Sequence, residues 1–162
     1  RFEKIVAANT GLPTGKAPLS EGFAVFREFL QIKPDLHVGG QVRNGTTKGI
    51  DENALAAYNA PFPDDDHKQG VRQFPNLVPG TPRTPSAEPN KEAWKILREW
   101  KKPFLCAFSD KDPIFSGVEN SFYKLIPGCK DMPHVTIQNA GHFLQEDQPN
   151  ACVEAILSIK DI

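Results

Sequence analysis

The chain has 162 residues, of which 39% are apolar, enough for the core of about one globular domain. Its 19 Lys and Arg against 20 Asp and Glu leave a net charge of -1 with no basic stripe, which argues against a nucleic-acid partner. No apolar run approaches the roughly 20 residues that span a bilayer, and the first residues lack the pattern of a signal peptide, so no membrane association is expected.

Residues 4 to 8, Lys-Ile-Val-Ala-Ala, form a short apolar run closed by Asn9, Thr10, Gly11 and Pro13, which reads as a buried strand entering a loop. From about Ser20 to Phe29, Phe23, Phe26 and Leu30 recur at helical spacing, and Asp51 before Leu55 and Tyr58 predicts a second, capped helix. Polar and proline-rich turns lie between and after them. Pro79, Pro82, Pro85 and Pro89 then break up a connector.

Beyond the connector, Asn90 can cap a helix with Ala93, Ile96, Leu97 and Trp100 on one face, stopping before Pro103. Phe104 to Phe108 is a continuous apolar run. A helix with Val118, Phe122, Leu125 and Ile126 on one stripe follows and ends at Pro127 and Gly128. His134 to Ile137 is a second β-prone segment, and Pro149 begins a last helix expected to carry Val153, Ile156 and Leu157 inward.

Short apolar strands alternating with amphipathic helices predict an α/β fold with a parallel sheet covered on both faces. Residues 1–11 supply one core strand, 12–89 an inserted, mainly helical cap with its connector, and 90–162 the remaining strands and helices. Three strands make a small sheet, so most of it is expected to lie elsewhere. The first residue is Arg1 and the one methionine is Met132, so the translation start is not visible, which fits a fragment or a processed product. The cysteines, Cys106, Cys129 and Cys152, are odd in number and widely spaced, which points to a reducing, cytoplasmic compartment rather than a disulfide or zinc framework.

In a parallel α/β sheet, catalytic groups sit on loops just past the C-terminal ends of strands. Two loops qualify: Ser109-Asp110-Lys111-Asp112-Pro113-Ile114 and Asn139-Ala140-Gly141-His142-Phe143. Asp112 and His142 are the candidate catalytic acid and base. A carboxylate beside a neutral imidazole fixes its tautomer and stabilises the imidazolium that forms when it takes a proton. Asp110, nearer the strand end, reads as a loop or capping residue. Asp64-Asp65-Asp66-His67 reads as a solvated turn rather than a metal site, His37 and His134 as surface or strand-end residues, and Trp94 and Trp100 as packing residues.

Pro103-Phe104-Leu105 with Phe108 to Ile114, then Phe122 to Gly128, then Gly141-His142-Phe143-Leu144-Gln145-Glu146-Asp147 resemble the C-terminal region of the haloalkane dehalogenases, of the α/β-hydrolase superfamily. Ala60-Pro61-Phe62-Pro63-Asp64 and Val71-Arg72-Gln73-Phe74-Pro75 resemble that family's cap domain, and residues 1 to 15 the strand leading into it. The resemblance implies hydrolysis of a small halogenated aliphatic substrate to an alcohol and halide, without a cofactor or metal, through an alkyl ester on an aspartate nucleophile. Asp112 then matches the acid and His142 the base. Some members place the acid one strand earlier, at Asn9, where an amide lacks the required charge.

The resemblance also assigns Phe23, Phe26, Phe74, Pro75 and Val78 to the apolar substrate pocket. Phe26 stands where the family often has a tryptophan, and it has no indole N–H for a halide. The nucleophile demands Gly-x-nucleophile-x-Gly after a core strand, and Gly45-Thr46-Thr47-Lys48-Gly49 fits the spacing. The polar Gln41 to Asn44 before it is unsuited to a core strand, so it reads as a glycine-rich cap turn. The nucleophile is therefore expected in an N-terminal half of the same fold, a partner of this chain. Two other readings stay open: an epoxide hydrolase, and a non-catalytic fragment that binds apolar ligands or a partner chain.

Overall fold

Three short parallel strands organise the first of two units in the computed structural model, which describes residues 2–160. This unit comprises Arg1–Gly11, Thr46–Lys48 and Glu92–Ile162; the second comprises Leu12–Gly45 and Gly49–Lys91. Strand β1 (Ile5–Ala7) pairs in parallel with β2 (Phe104–Ser109), which pairs in parallel with β3 (Val135–Ile137), in the order β1-β2-β3.

All six residues of β2 are buried, because the sheet is covered on both faces at its centre. Side chains alternate along a strand, so Phe104, Cys106 and Phe108 enter one cluster with Phe122, Ile126 and Cys129. Leu105 and Ala107 enter the opposite cluster with Ile137, Ala140, Leu144, Ala155 and Ile159. Each fully buried large side chain contributes about 1.5–3 kcal/mol, which makes β2 the main hydrophobic anchor of the unit. Trp94 and Trp100 pack against the first cluster, as expected.

Helix α5 (Ala87–Leu97) precedes β2, α6 (Glu119–Leu125) follows it, and α7 (Leu144–Asp147) and α8 (Pro149–Leu157) follow β3. A tight turn at Pro127–Cys129 closes α6; a side chain on Gly128 would meet the Lys102 carbonyl at 2.0 Å, so only glycine fits.

The second unit holds α1 (Glu21–Ile32), α2 (Val38–Asn44), α3 (Glu52–Asn59) and α4 (Gln69–Leu77). Ser20 caps α1 and Asp51 caps α3, each side chain accepting a hydrogen bond from the backbone three residues on. Gly39 lets α2 approach α3, since a Cβ there would lie 2.7 Å from the Leu55 carbonyl oxygen. The Arg72 guanidinium donates to the carbonyls of Leu30, Lys33 and Pro34 and pairs with Asp65 at 2.8 Å, tying α4 to the end of α1.

Four sequence expectations change. Residues 38–44 and 69–77 are helices rather than turns; the first is capped by His37, whose Nδ1 accepts from Gly40 N–H at 3.1 Å, and the second carries Pro75 inside it. Asn90 lies within α5 instead of capping it: the helix starts at Ala87, Pro89 is tolerated in its first turn, and the Asn90 amide donates to the Pro13 carbonyl. Helix α1 continues past Phe29 to Ile32. Val153, Ile156 and Leu157 point outward at 52%, 55% and 57% exposure, while Ala155, whose small side chain allows close approach, and Ile159 beyond the helix pack into the cluster on the sheet.

Candidate active site

Asp112 lies in the turn after β2 and His142 in the turn after β3, and parallel pairing brings these two strand ends side by side. The Asp110 N–H donates to the Ile137 carbonyl and the Lys111 N–H to the Ala140 carbonyl, both at 3.1 Å, extending the contact beyond the strands. The Asp110 carboxylate accepts from Ala140 N–H at 3.1 Å; that hydrogen bond outweighs desolvation and holds its pKa below the ordinary value. Asp110 is thus a brace between the loops.

Asp112 turns the other way and is buried. One carboxylate oxygen, Oδ1, accepts from Ile114 N–H at 2.8 Å, and Oδ2 lies 3.0 Å from Nδ1 of His142. An ionised carboxylate only accepts, so Nδ1 carries the ring proton and donates it to Asp112. Nε2 is then the nitrogen that can take a proton from water. The Phe115 ring stacks on the imidazole with centroids 5.7 Å apart, and Phe143 meets it edge-on at 5.0 Å. These rings fix the imidazole plane and shield one side of it from water. Phe115 went unrecognised in the sequence; its position three residues after Asp112 is the signal it offered.

Asn9, at the end of β1, takes a positive φ of 36° that asparagine tolerates. Its amide NH2 donates to Ser109 Oγ at 2.8 Å and to the Gly141 and His142 carbonyls at 2.9 Å, while its Oδ1 accepts from Ser109 N–H at 2.9 Å. Ser109 Oγ also donates to the Gly141 carbonyl at 2.8 Å. One buried amide therefore joins the ends of β1 and β2 to the histidine loop. Sequence reasoning weighed Asn9 only as a site for the acid and missed this bracing.

Asp147, 1% exposed, also grips that loop. Its Oδ2 accepts from Gly141 N–H and Thr47 N–H at 2.8 Å; its Oδ1 accepts from Thr47 N–H at 3.0 Å and Lys48 N–H at 3.3 Å. Burial raises the pKa of this carboxyl, but those donors outweigh it and hold the pKa below the ordinary value. Residues 46–48 thus belong with the sheet unit, a placement the glycine-rich pattern did not reveal. The Thr47 hydroxyl, Oγ1, donates to the Asn139 carbonyl at 2.9 Å.

The five apolar candidates lie in the second unit. Phe23 and Phe26 are half-buried on α1 with ring centroids 6.4 Å apart; Phe74 is 72% exposed on α4, Pro75 is buried beside it, and Val78 is half-buried at its C-terminal cap. His134 is a satisfied structural residue, its Nδ1 accepting from Cys106 N–H at 3.0 Å and its Nε2 lying 2.9 Å from the Cys129 carbonyl. Among the described residues no cluster of three His, Cys, Asp or Glu side chains is arranged to hold a metal, and no helix is long and apolar enough to cross a membrane.

No family model matches the chain. It is 50% identical over 148 residues to a haloalkane dehalogenase of Psychrobacter cryohalolentis, covering 91% of this chain and 49% of that protein. It is 40% identical over 158 residues to a haloalkane dehalogenase of Mycolicibacterium paratuberculosis, covering 98% of this chain and 52% of that one. The chain thus spans about half the length of the curated relatives it matches. Among solved structures, the tetrameric haloalkane dehalogenase DpaA from Paraglaciecola agarilytica superposes with a TM-score of 0.87 at 27% identity, over 100% of this chain and 54% of that one. An ancestral haloalkane dehalogenase, 20% identical with a TM-score of 0.75 over 97% of this chain and 59% of that one, shares the fold. With its parallel sheet, flanking helices and near-complete alignment to these relatives, the chain has the α/β-hydrolase fold and is homologous, over nearly its whole length, to about half of a haloalkane dehalogenase.

Proposed function

We propose that this chain is the C-terminal part of a haloalkane dehalogenase and supplies its acid, Asp112, and its base, His142. The observation that carries the reading is the 3.0 Å contact between a buried carboxylate and Nδ1 of an imidazole on adjacent strand ends. In the reaction a carboxylate oxygen of an aspartate outside this chain attacks the carbon bearing the halogen. The carbon–halogen bond breaks, halide leaves with the electron pair, and an alkyl ester remains. Nε2 of His142 then takes a proton from water as the oxygen attacks the ester carbonyl, with Asp112 stabilising the imidazolium. Collapse of the tetrahedral intermediate breaks the acyl–oxygen bond, the imidazolium returns its proton to the leaving alkoxide oxygen to give the alcohol, and the new carboxyl loses a proton to solvent to regenerate the aspartate.

In this reading residues 12–89, apart from 46–48 of the sheet unit, are the cap and its connector, and Phe23, Phe26, Phe74, Pro75 and Val78 line the apolar pocket. The three free cysteines suit a reducing cytoplasm. The N-terminal half of the fold covers the first unit beside β1. Among the described residues β1 pairs with one strand only, and a recess of about 310 Å³ lined by Lys4, Val6, Ile156, Leu157, Ile159 and Lys160 lies there, beside the exposed apolar side of α8. Such an open edge with an apolar face needs cover.

The test is to read the gene upstream, express the full-length protein and the 162-residue chain separately, and assay halide release from a short bromoalkane. Halide and alcohol from the full-length protein, and none from the chain alone, are expected. A serine in the upstream elbow, or turnover of an epoxide without halide release from the bromoalkane, sinks the reading.

A further inference from the structure

We infer that Asp147 is a positioning residue for His142 and that the 46–48 segment belongs to the same device; the inference rests on the dehalogenase reading above. A carboxylate 1% exposed needs full compensation, and here backbone N–H groups of two segments far apart in sequence supply it. One donor, Gly141 N–H, immediately precedes the base. The others come from Thr47 and Lys48, and Lys48 Nζ donates in return to the Asp147 carbonyl at 2.6 Å. Thr47 Oγ1 reaches the Asn139 carbonyl at the start of the same loop.

The histidine loop is therefore held from two sides. Asn9 binds the carbonyls of Gly141 and His142, and Asp147 binds the N–H of Gly141. Peptide orientation at Gly141 sets where the His142 side chain leaves the backbone, and the 3.0 Å contact to Asp112 depends on that direction. Of the two chemical steps, only ester hydrolysis uses the imidazole. Loosening this anchor thus slows hydrolysis of the alkyl ester and spares its formation, a split that general destabilisation does not produce.

The experiment compares full-length wild type with Asp147→Asn, Thr47→Pro, His142→Gln and Asp51→Ala. Asp147→Asn keeps the side-chain shape but replaces one acceptor with an NH2 group facing a donor. Thr47→Pro removes the N–H donor to Asp147, together with the hydroxyl that reaches the Asn139 carbonyl, and leaves the carboxylate. Asp51→Ala removes a helix cap in the other unit as a stability control. After rapid quenching with a short bromoalkane, intact mass gives the fraction alkylated. Asp147→Asn and Thr47→Pro should accumulate alkyl-enzyme, with hydrolysis slowed about 10- to 100-fold and ester formation within about twofold of wild type. Asp51→Ala should not accumulate it.

Nitrogen-15 spectra of His142 provide the second readout: one Nδ1–H tautomer in wild type, and an average of two tautomers in Asp147→Asn. If His142→Gln accumulates ester while Asp147→Asn and Thr47→Pro hydrolyse it at the wild-type rate, the positioning role is overturned and the dehalogenase reading stands. If no protein forms the ester, the dehalogenase reading falls and the spectra decide Asp147 alone: an unchanged tautomer in Asp147→Asn refutes its role, and a mixed one supports it.

Discussion

In the first unit Asp112 and His142 meet from 30 residues apart at 3.0 Å, with the carboxylate 1% exposed and the imidazole 28%. In the second, Asp64 and His67 meet within one turn at 2.6 Å, both more than half exposed. The shorter contact is the weaker one. Water screens the exposed pair and solvates either partner when they part, whereas buried Asp112 is satisfied, among the described residues, by Ile114 N–H and the imidazole. Distance therefore does not rank such pairs; burial and the scaffold around them do. The buried pair rests on β2, on the Asn9 amide and on the Asp147 anchor, while the exposed one rests on a single turn of chain.

If that contrast is real, breaking the buried pair has the largest effect. Asp112→Ala in the full-length protein should lower turnover by on the order of 10³- to 10⁴-fold, because the imidazole loses both its tautomer and the charge that stabilises its protonated form. Asp112→Ala and His142→Gln together should cost little more than His142→Gln alone, since the two act as a unit. Steady-state halide release measures both, and additive losses would mean that the groups act separately.

A smaller effect is expected from the scaffold. Asn9→Ala strips its donor from the buried Gly141 carbonyl and the half-buried His142 carbonyl and should cost about 1–3 kcal/mol in urea denaturation. Turnover should fall as well, as the loop shifts. A variant with wild-type stability and rate would show that Ser109 Oγ alone holds the loop.

The pH dependence of Asp147 sharpens the comparison further. Its folded-state pKa lies below the unfolded value, so the stability it contributes is fully present above about pH 4 and is lost as pH falls through the folded value. The gap in denaturation midpoint between wild type and Asp147→Asn should thus be constant from pH 7 to about 4 and close below it. A gap that persists at the lowest pH would assign the effect to shape rather than charge.

How much of this was legible in the sequence depended on locality. Phe104 to Phe108 declared β2 because a strand covered on both faces needs an unbroken apolar run. Asp112 and His142 were legible because each follows its strand within a few residues, and chain order with parallel pairing does the rest. Helix α4 was not, because Pro75 obscured it and Arg72 holds it to carbonyls about 40 residues away. The inward side of α8 was misread because the helix is apolar on more than one side, and small alanines won the sheet. Asp147 was hidden most deeply. The sequence named it only as the last residue of the run from Gly141, and its partners at Thr47 and Lys48 lie 100 and 99 residues away.

The exposed pair carries the smallest expected effect, and it isolates charge from geometry. The Asp64 side chain hydrogen-bonds the His67 ring and also accepts the His67 backbone N–H at 3.1 Å; these bonds, the ring contact first, hold its pKa below the ordinary value. Asp64→Asn keeps the oxygen that caps the turn and removes the charge, whereas Asp64→Ala removes both. The denaturation midpoint of Asp64→Asn should match wild type at low and high salt, because solvent replaces an exposed ion pair almost fully. Asp64→Ala should fall slightly, reflecting the lost cap. If Asp64→Asn instead destabilises as strongly as Asn9→Ala, and salt abolishes the difference, then exposed charge outweighs buried scaffolding and the ranking of the two pairs is reversed.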